Sequence, residues 1–325
     1  MKKIFTTLTI ALAAITSVSF AQQDPQFTQF MTNKLIYNPG YAGTSEAICA
    51  NALYRQQWVN FPGAPKTGLF SFDMPIGQLP IAVGLNVMSD QIGFDKTLFA
   101  RVALAWNRRI FNGVLGVGID GGILQKQFNG TWITPDGSGV YDATIPAYTS
   151  GTVTAANPNL NKLSYDFGFG AYYTIANRMY VGISSTHLAA QDIKASTNVK
   201  FALARHYYIV GGYTFDLTQD HAIQPNIKIK SDAASTQLDV NLTYIFRRTL
   251  SVGVSYRMQD AIAPMIGYRF QNGALKGMRA GYSYDLTTSK IKGYSSGTHE
   301  ISLGYCFNVK KPKKITTYQN ARFLD

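Results

Sequence analysis

The run TQLDVNLTYIFRRTLSVGVSYR, residues Thr236 to Arg257, alternates in polarity through two segments separated by a basic turn. In the first, Leu238, Val240, Leu242, Tyr244 and Phe246 share one face, and Gln237, Asp239, Asn241 and Thr243 share the other. After Arg247, Arg248 and Thr249 the pattern resumes. Leu250, Val252, Val254 and Tyr256 face one way, Ser251, Gly253, Ser255 and Arg257 the other. A period of two is that of a β-strand, so the stretch reads as a hairpin. Each segment matches the roughly 9–11 residues that a tilted strand needs to cross a bilayer, apolar toward lipid and polar toward a lumen.

Working outward from this hairpin, the same alternation marks strands at Ala47 to Trp58, Thr67 to Met74, Ile81 to Asp90, Leu98 to Arg108 and Val114 to Phe128. Beyond a gap rich in Gly, Ser, Thr and Asn it continues at Lys162 to Thr174, Met179 to Leu188, Val199 to Phe215 and Ala222 to Ser231. Past the hairpin come Ala263 to Phe270, Met278 to Tyr284 and His299 to Asn308. The expected fold is all-β: a transmembrane antiparallel up-and-down barrel of about 14 strands, an even number as bacterial outer-membrane barrels require. Such barrels alternate short periplasmic turns with longer external loops. A periplasmic start puts the long connections Asn129 to Asn161, Ala189 to Asn198 and Asp285 to Thr298 on the outside, and the short Ala176 to Arg178 and Arg247 to Thr249 turns on the inside.

Composition agrees. The chain has 325 residues, 46% hydrophobic but only 15% charged, with a mean hydropathy near zero and no later apolar run long enough for a membrane helix. Lys2 and Lys3, the apolar run Ile4 to Val18, and Ser19, Phe20 and Ala21 read as a signal peptide, residues 1–21. Its removal leaves a charge of 12 − 2 = +10. That charge is spread over turns, tails and polar strand faces, which argues against a nucleic-acid partner.

Residues 22–46 precede the barrel, which spans 47–309. Phe27, Phe30, Met31 and Leu35 recur at helical spacing before Tyr37, Asn38, Pro39, Gly40 and Tyr41 break into a turn. The segment reads as a short amphipathic piece folded into the barrel mouth, with a flexible leader as the alternative. Residues 310–325 form a basic tail expected in the periplasm with the N-terminus. It is read either as a contact for acidic outer-membrane lipid or a periplasmic protein, or as a solvated tail.

Cys49 lies near the start of the first strand and Cys306 near the end of the last. In a closed antiparallel barrel those ends are neighbours, so a disulfide across the seam is geometrically plausible in an oxidising periplasm; two unpaired cysteines are the alternative. His187, His206, His221 and His299 are scattered, none at metal-ligand spacing, so no metal or cofactor is expected. Ser and His pairs such as Ser184 with His187 occur at chance frequency in a Ser-rich barrel, and no enzymatic activity is expected. Gly116, Gly118, Gly121 and Gly122 fit the packing of a curved wall rather than a phosphate loop.

The segments Gln23 to Met31 (QDPQFTQFM) and Tyr37 to Gly43 (YNPGYAG) resemble the opening of the PorP/SprF family of Bacteroidota outer-membrane proteins of the type IX secretion system. Arg55 to Trp58, Phe61 to Thr67, Ser71 to Pro75 and the Gly84 to Gly93 stretch extend the likeness over about the first quarter of the chain. The resemblance implies a non-enzymatic accessory for export or surface retention of a large adhesin in gliding-type systems, by binding its C-terminal domain. It alternatively implies a link to the periplasmic ring of the machine, with periplasmic lipoproteins as partners. The aromatics, the Asn-Pro-Gly turn and the Gly-Ala-Pro loop suit a plug and a docking rim. The candidate residues are therefore Phe27, Phe30, Met31, Tyr37, Asn38, Pro39 and Tyr41, with Arg55, Trp58, Phe61, Pro62 and Pro65. A small-solute channel using Lys228, Lys230, Asp239 and Arg257 as lumen charges is the competing reading.

Overall fold

A computed structural model describes residues 24–128, 160–190, 192–194 and 200–308. The signal peptide, most of the long Asn129 to Asn161 connection and the basic tail lie outside the described residues.

The strands are β1 (Ala47–Gln56), β2 (Lys66–Pro75), β3 (Ile81–Ile92), β4 (Asp95–Ile110), β5 (Gly113–Phe128), β6 (Leu160–Ile175) and β7 (Met179–Thr186). There follow β8 (Asp192–Lys194), β9 (Lys200–Ala202), β10 (His206–Tyr213), β11 (Phe215–Asp216), β12 (His221–Ser231) and β13 (Thr236–Phe246). The chain ends with β14 (Leu250–Arg257), β15 (Ala261–Arg269), β16 (Arg279–Thr287) and β17 (Thr298–Asn308). Each wall strand pairs antiparallel with the next, and β1 pairs with β17 from Ala47 opposite Asn308 to Gln56 opposite His299. Among the described residues this closes a barrel of fourteen strands: β1 to β7, β10 and β12 to β17. Closure removes both sheet edges, as a membrane demands.

Alternation decides which way each side chain points. On β13, Val240, Leu242 and Tyr244 are exposed, while Asp239, Asn241 and Thr243 are buried. On β4, Val102, Leu104 and Trp106 look out, while Arg101, Ala103 and Ala105 look in. An outward apolar belt around a polar interior is the inverse of a soluble domain and is stable only in lipid.

The long Val199 to Phe215 run is not one strand. It divides into β9, β10 and β11, and only β10 pairs on both sides, with β7 and β12. The break lies beside Leu203, which packs against the interior core. Strict alternation of loop lengths also fails at several places, because the 93–94, 232–235 and 258–260 connections at one end are shorter than the 76–80, 214–220 and 270–278 connections at the other. The last of these joins β15 to β16, and its backbone bonds Phe270 N to Met278 O and Gly277 N to Phe270 O make it largely a continuation of the hairpin ladder. The end where β1 starts and β17 finishes is called the short-turn end below, and its opposite the long-loop end.

The lumen is filled by residues 24–46. This segment runs the length of the barrel rather than sitting in its mouth. Asp24 lies beside Tyr208 near the start of β10 at the long-loop end, whereas Gly43 donates to Asp73 near the end of β2 at the short-turn end. Asp24 and Asn308 therefore lie at opposite ends; the two chain ends, both expected in the periplasm, lie outside the described residues. The helical spacing of Phe27, Phe30 and Leu35 yields turns, not an α-helix, because wall packs around the segment and buries successive residues such as Phe27 to Phe30 rather than one helical stripe. Phe27, Phe30, Ile36 and Tyr37 pack on Leu53, Leu69, Met88, Phe99, Leu124 and Tyr208 of the wall. At about 1.5–3 kcal/mol for each fully buried large apolar side chain, this contact outweighs the entropy gained by freeing those side chains.

Candidate functional site

The polar faces of six strands converge on the plug in one ionic layer near the long-loop end. Arg55 of β1 bridges two carboxylates, its Nη2 at 2.8 Å from Asp285 Oδ2 and its Nη1 at 2.8 Å from Glu300 Oε2. Glu300 in turn accepts from the backbone N–H groups of Thr28 (2.9 Å) and Gln29 (2.7 Å). The Thr28 hydroxyl donates to Asp285 at 2.7 Å. Arg257 reaches Asp285 at 3.2 Å and Asp260 at 3.1 Å, and Lys228 lies 2.6 Å from Asp239. Lys228 and Lys230 also donate to the plug carbonyls of Phe27 (3.3 Å) and Asp24 (3.1 Å). The charges read from sequence as lumen residues of a channel thus grip the plug. Buried ions of this kind persist only when paired and hydrogen-bonded.

Lower down, the Asn-Pro-Gly turn is locked to the wall. Asn38 caps a 3-10 turn at Pro39–Tyr41 by accepting from Gly40 N at 2.9 Å. Its amide nitrogen donates to the carbonyls of Ala171 (2.9 Å) and Ile183 (3.0 Å), reaching β6 and β7 together. A Cβ on Gly118 would come within 2.6 Å of Pro39 O, and one on Gly116 would collide with Gly40 O. These wall glycines are there for the plug, a correction to their reading as curvature residues. Tyr41 packs edge-on against Tyr172, with ring centroids 5.2 Å apart.

The remaining candidates lie at the long-loop rim. Residues 57–65 are tied to the β16 to β17 connection by Val59 N to Gly297 O (2.8 Å) and Ser296 N to Val59 O (2.9 Å). On the other flank Gly93 N donates to Gly63 O at 2.9 Å. Trp58 takes a left-handed φ of 49°, which ends β1 and turns the chain into this loop. Pro65 is buried, while Phe61 and Pro62 stay exposed on a braced support. The β12 to β13 turn nearby is equally fixed. Burial pushes the Asp232 carboxyl up, but donations from Ser235 and Ala234 outweigh this and hold its pKa below the ordinary value.

The sequence candidates therefore divide. Phe27, Phe30, Tyr37, Asn38, Pro39 and Arg55 are interior residues that seat the plug, with Met31 and Tyr41 half-buried beside them. Trp58, Phe61 and Pro62 belong to the rim. Cys49 and Cys306, opposite each other in the seam register, are joined by a disulfide with a Cα separation of 4.1 Å. Sequence reasoning missed Thr28, Gln29, Asp285 and Glu300. The available signal was two inward carboxylates on adjacent late strands, which need cations.

The outer membrane protein Omp33 of Acinetobacter baumannii is 10% identical with a TM-score of 0.40, covering 81% of this chain and 97% of that one. The toluene transporter TbuX of Ralstonia pickettii is 9% identical with a TM-score of 0.47, covering 85% and 93%. A FadL homologue of Pseudomonas aeruginosa is 11% identical with a TM-score of 0.43, covering 81% and 89%. No curated protein sequence matches the chain. The family described as type IX secretion system membrane protein PorP/SprF matches residues 19–305. This plugged fourteen-stranded barrel of the outer membrane belongs to the PorP/SprF family of type IX secretion system membrane proteins.

Proposed function

We propose that the barrel is a non-enzymatic accessory that supports export or surface anchoring of a large adhesin by binding its C-terminal domain at the long-loop rim. The observation that carries this reading is the filled lumen. A barrel whose interior holds a packed core and a paired ionic layer offers protein partners its rims, not a pore. On this reading the long loops are extracellular, Phe61 and Pro62 sit at the docking surface, and exposed apolar residues on a braced loop provide the contact.

A second reading, a link to the periplasmic secretion ring and its lipoproteins, draws on the opposite end. A recess there is lined by Arg248, Arg269 and Arg279 beside Asn33 and Gln224, with no carboxylate among its described lining residues. Such a surface suits an acidic periplasmic segment.

The test is affinity purification of a tagged copy from its own outer membrane in mild detergent, with mass spectrometry of co-eluting proteins. Near-stoichiometric recovery of a very large surface protein, lost on Phe61→Ala with Pro62→Ala, is the expected result. Recovery of periplasmic lipoproteins instead would move the protein to the ring, and a barrel that elutes alone and conducts ions would overturn both readings in favour of a channel.

A further inference from the structure

At the long-loop end the fold gathers three side chains that sequence spacing hides. Asp24 opens the plug, His187 follows β7 with a left-handed φ of 55°, and His206 opens β10. His187 Nε2 lies 2.8 Å from Asp24 Oδ1, His206 Nδ1 lies 3.9 Å from Asp24 Oδ2, and the two imidazole centroids are 5.7 Å apart. One donor atom from each residue falls within 4.8 Å of the others. We propose that Asp24, His187 and His206 bind a divalent transition-metal cation, with zinc as the reference ion, that clips the start of the plug to the barrel wall.

Three independent features support a ligand there. The first is His206, which is 1% exposed, yet neither of its ring nitrogens has a hydrogen-bond partner among the described residues. A buried polar group without a partner costs about 1–3 kcal/mol, and the ring's contacts with Tyr208 and His187 are through its faces and edge, not its nitrogens. The second is the back side of His187, whose Nδ1 lies 2.9 Å from Asp166 Oδ2; both atoms are buried and neither has another hydrogen-bond partner among the described residues, so a small ring rotation on metal binding would pair them. A carboxylate behind a ligating imidazole fixes its tautomer and ring orientation, the usual outer support of a metal-bound histidine. The third is the hydroxyl of Tyr208, which donates to Asp24 Oδ2 at 2.7 Å and aims the carboxylate.

The donor set selects the ion. Two imidazoles and one carboxylate suit zinc and its neighbours in the first transition row, whereas calcium and magnesium prefer all-oxygen shells. Zinc–nitrogen and zinc–oxygen distances of about 2.0–2.2 Å place ligand atoms roughly 3.3 Å apart in a tetrahedron. The Asp24 contacts are 2.8 and 3.9 Å and all three donor atoms lie within 4.8 Å of one another, so the widest pair must close by up to about 1.5 Å to reach that spacing. Water fills the fourth position. The Asp24 side chain is 23% exposed, so an ion has an entry path from the rim.

The alternative is a cluster held without a metal, with Arg101 beside the carboxylates of Asp120 and Asp166 and Lys230 donating to the Asp24 carbonyl. The two are separated with the full chain, purified in detergent without a polyhistidine tag, stripped with chelator and titrated with zinc chloride by calorimetry. Cobalt(II) serves as a spectroscopic probe. The expected result is one zinc per chain, visible ligand-field bands of tetrahedral cobalt, and binding at least tenfold weaker in His206→Gln and in Asp24→Asn. Asp166→Asn should weaken it by roughly 10–100-fold, as loss of outer support does. Folding of each variant is checked by the heat-dependent gel shift of the barrel, and Asp24→Asn, which keeps shape and volume, decides the matter if His206→Gln fails to fold. Absence of stoichiometric binding in the native chain, or unchanged binding in a folded Asp24→Asn variant, would overturn the metal site.

Discussion

Arg55 on the first strand and Glu300 on the last are joined by a 2.8 Å ion pair inside the seam where the barrel closes. Both side chains are buried, and both also hold the plug through Thr28. Closing the wall and seating the plug are therefore one event, because the same two side chains serve both.

Arg55→Ala removes the cation between Asp285 and Glu300 and leaves two carboxylates buried without it. Breaking a buried pair in this way costs about 3–5 kcal/mol. Urea unfolding in detergent or lipid should show that loss. Glu300→Gln keeps an acceptor for Thr28 N–H and should cost less. Equal stability of Arg55→Ala and the native chain would show that the ion pair does not hold the seam.

The plug turn should be separable from the wall. Gly116→Ala puts a Cβ into Gly40 O with Asn107 and Thr44 on either side, so the Asn38 to Gly40 turn must withdraw. The wall face of β5 toward lipid is untouched by that change. The expected outcome is a folded barrel whose residues 24–46 become accessible to protease and which conducts ions in a planar bilayer, where the native chain stays closed. A silent Gly116→Ala barrel with a protected plug would count against the close approach.

How much of this was readable from sequence follows from the range of each interaction. Asp239, Asn241 and Thr243 face inward and Val240, Leu242 and Tyr244 outward because a strand's period is local, and so strand faces and barrel class were legible. Cys49 and Cys306 could be matched because closure of an up-and-down barrel fixes which ends meet. The plug path was not legible, since the spacing of Phe27, Phe30 and Leu35 reports buried positions without saying that wall surrounds them on every side. Gly116 and Gly118 show the same limit: their need for hydrogen in place of Cβ comes from Pro39 and Gly40, far away in the chain. His187 and Asp24, 163 residues apart, meet only through that unforeseen path.

The seam disulfide gives a third prediction. Cys49 and Cys306 are 257 residues apart, so the bond closes nearly the whole barrel into a loop and restricts the unfolded chain strongly. Ten residue pairs of β1 and β17 hold the same seam, which keeps the folded barrel intact without it. Cys306→Ser should therefore fold, lose about 2–5 kcal/mol of stability, and lower the temperature of the heat-dependent gel shift. Reductant should reproduce the effect in the native chain and leave the variant unchanged. A native chain indifferent to reductant would remove the seam bond from the stability of the barrel.

The outward belt can be tested by depth. Leu242 stands mid-strand on β13, exposed on the wall, with Val254 of β14 as its register partner. Arginine there must carry its charge into hydrocarbon, at a cost of about 2–4 kcal/mol near the bilayer midplane. Phe61→Arg places the same charge at the rim, where the cost falls to about 0–1 kcal/mol. Folding into lipid vesicles, followed by denaturant titration, should show Leu242→Arg markedly destabilised and Phe61→Arg close to the native chain. In detergent micelles, whose looser apolar layer deforms around a charge, the gap should narrow. Equal penalties at both positions in vesicles would mean that Leu242 does not face the hydrocarbon, and the alternation on β13 would need a different solvent outside it.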